Sequence, residues 1–177
     1  MAMSESPPKI SAEVETAAKN FWAAAASELD SLVRFDLLAK GWDRMAANWK
    51  PESSASARFR DLCASFPEVA WSDSVTRLLT EFGRPILNDQ ADGPIAADEF
   101  EKAERSYERH RRGRQSPDAD AELMRSVGRL LWTIRSNSMH GYKTPAGPIG
   151  PNERDRKICD LASDVLRDLY RLSLHLS

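Results

Sequence analysis

Arg135, Asn137 and His140 fall within six residues, and Gly141 follows them directly. An arginine, an amide and an imidazole are the groups that phosphodiester cleavage without a metal requires. They supply a fixed positive charge for anionic oxygen, a polar group that orients, and a proton carrier. Spacing alone does not single out this set, because Arg105 and His110 repeat the same arginine-to-histidine interval. Context separates the two. Arg135 ends a long apolar run and has an amide two residues on, whereas Arg105 lies among charged residues with no asparagine before its histidine.

The element that must position this set reads as an amphipathic helix. Leu123, Val127, Leu130 and Ile134 recur at spacings of four, three and four, and Met124 and Leu131 widen the stripe. Asp118 or Asp120 can cap its start. Gly141 suits the left-handed position past a helix end, and the Pro- and Gly-rich stretch 142–151 cannot continue the helix. On a regular helix Arg135 and His140 stand about 140° apart and share no face. The histidine, however, falls on the last turn, where a helix is free to tighten or fray. The carbonyl end also favours a positively charged imidazole. A twofold interface is the other way to bring the groups together, by setting two copies of the motif face to face. The bland alternative is that Arg135 and His140 are ordinary helix-end cations and Asn137 a surface amide.

The rest of the chain also reads as helix. Ser11 to Lys50 carries Val14, Phe21, Ala25, Leu32 and Phe35 at helical intervals and is stopped by Pro51, with Gly41 as a place to bend before Trp42, Met45 and Trp49. A second helix covers Ala55 to Ser65, with Phe59, Leu62 and Phe66 on one face and Pro67 beyond it. A third starts near Ser72 or Asp73, carries Val75, Leu78, Leu79 and Phe82, and is interrupted at Gly83-Arg84-Pro85. Asn88 to Pro94 reads as a linker, and Ala96 to Arg112 as a charged helix anchored by Phe100 and Tyr107. Its end, Arg109 to Arg114, is the one dense basic run. That run is either a solvated helix end or a patch tracking phosphates through Arg111 and Arg112. The final helix starts near Asn152 and Asp155 and buries Ile158, Leu161, Val165, Leu169 and Leu172. No alternating strand pattern occurs.

The 177 residues fit one domain with a proper core, residues 11–177, behind a polar tail, 1–10, that reads as disordered. Net charge is −2, which argues against a strong non-specific nucleic-acid binder but leaves room for a local patch. Cys63 and Cys159 match no disulfide framework or zinc spacing and read as buried free thiols. With no signal peptide and no apolar run of about 20 residues, a cytoplasmic protein is expected. No acidic or His/Cys set has metal-ligand spacing, and Gly147 to Gly150 lacks the Lys-Ser/Thr of a phosphate loop, so no metal or other cofactor is expected.

The segment Leu130-Leu-Trp-Thr-Ile-Arg-Ser-Asn-Ser-Met-His-Gly-Tyr-Lys143, followed by Arg154-Asp-Arg-Lys and an apolar helix, resembles the end of a HEPN domain. The similarity runs from Leu123 to the C-terminus; the earlier part matches only in helicity and order. The resemblance implies an all-α, HEPN-like bundle of up-and-down helices with a long C-terminal helix. It also implies a metal-independent endoribonuclease whose site forms where two protomers of a homodimer meet, as in a toxin or defence component. Arg135 would then hold the scissile phosphate of an RNA substrate, His140 would act as acid or base, and Asn137 would orient the histidine or the ribose. Here Ser136 occupies the place directly after the arginine where some members carry the asparagine. Lys143 is a further phosphate contact or a solvated loop lysine. The family's frequent partner is a minimal nucleotidyltransferase antitoxin; the alternative is a catalytically inactive HEPN module that binds RNA, a nucleotide or a protein partner. Trp132 and Met139, beside the motif, suit either the core or the interface.

Overall fold

The computed structural model describes residues 8–81, 101–102, 104–105, 107–109, 112, 116–139 and 153–176, and only the backbone of 137–139 and 154. Six α-helices run through them: α1 (Ala12–Ser27), α2 (Ser31–Trp49), α3 (Ala55–Ala64), α4 (Asp73–Glu81), α5 (Pro117–Met139) and α6 (Glu153–Ser173). A 3₁₀ helix, Pro67–Trp71, joins α3 to α4, and the described residues between 101 and 109 are helical. No strand occurs among the described residues, so the protein is an all-α bundle with a long C-terminal helix.

Local chemistry sets the ends of these helices. The Oγ atoms of Ser11 and Ser54 accept from the backbone N–H three residues on, satisfying donors that a first turn leaves open. Ser116 does the same for Ala119 at 3.1 Å, with Pro117 in the first helical position, where its missing N–H costs nothing. The cap of α5 is therefore Ser116. Asp118 and Asp120, expected as caps, lie inside the first turn and face the positive end of the helix dipole.

The single helix expected over Ser11 to Lys50 is two helices, and the break lies at Glu28–Asp30 rather than at Gly41. Asp30 Oδ1 accepts from the N–H groups of Leu32 and Val33 at 2.9 and 3.0 Å, starting a new helix. Glu28 accepts from Asp30 N, and the Arg34 guanidinium donates to the carbonyls of Glu28 and Leu29, which end the old one. The two helices fold back on each other, and Ser11 N donates to Asn48 Oδ1 at 2.9 Å across the open end of the hairpin.

Gly41 serves close approach instead of bending. A Cβ there would overlap the Tyr170 hydroxyl and stand 2.9 Å from Phe21 Cβ, so its absence lets α1 and α6 close on α2. Tyr170 is fully buried, donates to Leu38 O at 2.9 Å, and packs its ring, tilted, within 6 Å of Trp22 and Trp42. Burial pushes its phenol pKa up. Gly128 plays the same part between α5 and α3, where a Cβ would meet Arg60 Cα at 2.9 Å.

The apolar stripe of α5 is buried as expected: Leu123, Met124, Val127, Leu130, Leu131 and Ile134 all lie in the core. Each such side chain stabilises the fold by about 1.5–3 kcal/mol relative to exposure. That stripe packs chiefly on α3, while α6 packs on α2 and α4. On α6 the face is wider than expected and centred nearer Tyr170. Ile158, Leu161, Val165 and Leu169 are buried, but Leu172, at the edge of that face on the last turn, is 42% exposed, and Leu174 fills the core there. Cys63 and Cys159 are buried free thiols, and burial raises the pKa of Cys63. No described helix is long and apolar enough to cross a membrane.

Candidate functional site

Arg135 lies on the last turns of α5, and its side chain is only 12% exposed. The buried stripe explains this position. Ile134 points into the core, so Arg135 emerges at its margin and lies over the helix face that Trp132 begins three residues earlier. The guanidinium Cζ stands 4.8 Å from the Trp132 ring centroid, a cation–π contact. Trp132 in turn meets Phe59 of α3 edge to face at 5.5 Å. Trp132 thus packs within the chain, as its core reading expected.

The charge of Arg135 is answered from α2. Its Nη1 forms an ion pair with Asp43 Oδ2 at 3.2 Å, and the other Asp43 oxygen accepts from Arg58 Nη2 of α3 at 3.4 Å. One carboxylate therefore sits between two guanidiniums, with Asp43 and Arg58 about one-fifth exposed. The Nε atoms of Arg135 and Arg58 are buried with no hydrogen-bond partner among the described residues. The cluster carries a surplus positive charge and a planar cation lying over an aromatic ring. Such a guanidinium is held in place before any anion arrives, the condition under which electrostatic stabilisation of a developing charge costs no reorganisation.

The remaining candidates are placed less fully. Asn137 belongs to α5 by its backbone, two residues beyond Arg135; its side chain lies outside the described residues, as do His140, Lys143 and Arg111. The proposed approach of His140 to Arg135, and the place of Met139 in core or interface, fall there too. Arg112 is described: its side chain is 80% exposed and stands 3.8 Å from Glu108. Among the described residues no group of His, Cys, Asp and Glu side chains is arranged to hold a metal ion.

Asp43 and Arg58 were not legible as site residues in the sequence. A faint signal exists for Asp43, an acidic residue set between the core residues Trp42 and Met45. Nothing in it names Arg135, 92 positions away, as the partner. Compared with known proteins, the chain matches no family model, no curated protein and no solved structure.

Proposed function

We propose that the chain is a metal-independent endoribonuclease of HEPN type, with Arg135 binding the scissile phosphate and His140 moving protons. The observation that carries this reading is the fixed guanidinium: Arg135 is stacked on Trp132 and anchored by Asp43 near the end of the helix that leads into Asn137 and His140. The ribose 2′-hydroxyl would attack the adjacent phosphorus and lose its proton, while the 5′-oxygen of the next nucleotide leaves with a proton. Arg135 stabilises the added negative charge, and Asn137 orients the imidazole or the ribose. The products are a 2′,3′-cyclic phosphate and a 5′-hydroxyl. The reading extends to a homodimer that completes the site, and to a toxin or defence role restrained by a nucleotidyltransferase-type antitoxin.

One observation favours a second reading. Asp43 already engages Arg135, as it would in a non-catalytic module whose arginine serves the fold and whose surface binds RNA, a nucleotide or a protein. Incubating the purified chain with RNA in excess chelator separates the two. The ribonuclease reading expects cleavage that falls about 10²–10³-fold in Arg135→Ala, the usual effect of losing one charge-stabilising donor. Cleavage that persists in both Arg135→Ala and His140→Ala would belong to something else in the preparation.

A further inference from the structure

A second cationic feature lies on α5, away from Arg135. Arg125 and Arg129, one helical turn apart, form one wall of a cleft of about 480 Å³; Lys102, Arg105 and Arg109 form the other. The last three fall at i, i+3 and i+7, so one helix face carries them all. Among the described lining residues Glu122 is the only carboxylate, giving them a formal charge of +4 in a protein whose overall charge is −2. Glu122 pairs with Arg109 at 3.0 Å and Asp61 approaches Arg125 at 3.6 Å. Arg109, Glu122 and Arg125 are about half exposed, and pairs of that kind contribute about 0–1 kcal/mol, so a multivalent anion exchanges with them at little cost. Among the described residues, no aromatic or aliphatic side chain lines the cleft.

We infer that this cleft is a groove for the sugar–phosphate backbone of a single-stranded nucleic acid, read without regard to sequence. Cations track phosphates, whereas stacking of bases needs aromatic platforms, and the described lining carries none. The cleft has the volume of a ligand pocket and takes one strand's backbone at a time. At a rise of about 1.5 Å per residue, Arg129 and Arg125 precede Arg135 by about 9 and 15 Å along the axis. A strand leaving the groove at Arg129 would have that distance along α5 to cover to reach Arg135, and this would be the groove's part in delivery. Only this delivery role rests on the ribonuclease reading; the binding itself does not.

The test uses the full chain carrying His140→Ala, so that bound RNA is not consumed, and labelled 12-nucleotide single strands of RNA and DNA read by fluorescence anisotropy across a salt series. Four phosphate contacts give a slope of log K against log salt of about −2.8, at about −0.7 per contact. RNA and DNA bind alike, because only phosphates are read. Adding Arg125→Ala/Arg129→Ala, or Arg105→Ala/Arg109→Ala from the opposite wall, halves that slope, while the exposed control Lys19→Ala/Lys40→Ala leaves it unchanged. Absence of binding at 50 mM salt, a slope untouched by both wall variants, or capture of inorganic triphosphate without either strand would overturn the inference. Cleavage is measured separately with the unsubstituted chain, so strand binding without cleavage keeps the groove and removes the ribonuclease. Cleavage with an unaltered salt slope does the reverse.

Discussion

Gly41→Ala tests how α1 and α6 close on α2, because two opposing terms of known size meet there. Replacing glycine by alanine inside a helix stabilises by about 1 kcal/mol through propensity alone. Against this, the new Cβ overlaps the Tyr170 hydroxyl and stands 2.9 Å from Phe21 Cβ, an atom tied to the backbone of α1. Moving the hydroxyl breaks its bond to Leu38 O and leaves a buried donor unsatisfied, at about 1–3 kcal/mol. Shifting α1 adds an overpacking cost of about 1–3 kcal/mol. The net expectation is a loss near 3 kcal/mol. Tyr170→Phe removes the hydroxyl and by itself costs about 1 kcal/mol. In that background Gly41→Ala should cost about 1–3 kcal/mol less, because only the Phe21 contact remains. Urea titrations of the four chains, with slopes checked for constancy, give this coupling directly. A Gly41→Ala chain more stable than the parent, or one equally damaged with and without the hydroxyl, would refute the reasoning.

Three further outcomes follow from the same structure. Asp43→Ala leaves the Arg135 and Arg58 guanidiniums adjacent without their shared anion, and it should lower unfolding stability by about 1–3 kcal/mol, less than a fully buried pair because the group is one-fifth exposed. Native protein should not react with a thiol reagent at neutral pH, whereas both Cys63 and Cys159 should react in denaturant, since both are buried. Stability should also fall as pH rises. Burial raises the pKa of Cys63, so above about 8.5 the unfolded chain releases a proton that the folded chain keeps, and folding loses up to about 1.4 kcal/mol per pH unit. Denaturant midpoints between pH 8 and 10 check this, and Cys63→Ser should flatten the slope.

What the sequence disclosed depended on the kind of information each feature carries. The stripe of α5 was legible because Leu123 through Ile134 repeat with the period of a helix facing a single core. The break at Asp30 was not, because no glycine or proline marks it. It rests on Asp30, Glu28 and Arg34 bonding to nearby backbone, while Leu29, 91% exposed, drops off the stripe. Gly41 was misjudged as a bend because local propensity says nothing of the tyrosine that will pack on it from α6. The same blindness hid Asp43 and Arg58. Periodicity assigns a residue to a face and not to the partner across it, so the anchoring of Arg135 emerged only with the packing of α2 and α3 against α5. Arg105, whose interval to His110 repeats that of Arg135 to His140, lines the cationic cleft, a placement that its spacing does not reveal.

The most direct measurement is the chemistry of the cut ends. A defined RNA is incubated with the chain in excess chelator, beside the same strand carrying 2′-deoxyribose at the scission site, and the fragments are weighed by mass spectrometry. If Arg135 and His140 act as inferred, the RNA yields a 2′,3′-cyclic phosphate and a 5′-hydroxyl, and the deoxy strand stays whole. An intact RNA at protein excess, or a deoxy strand cut at the same place, would contradict it.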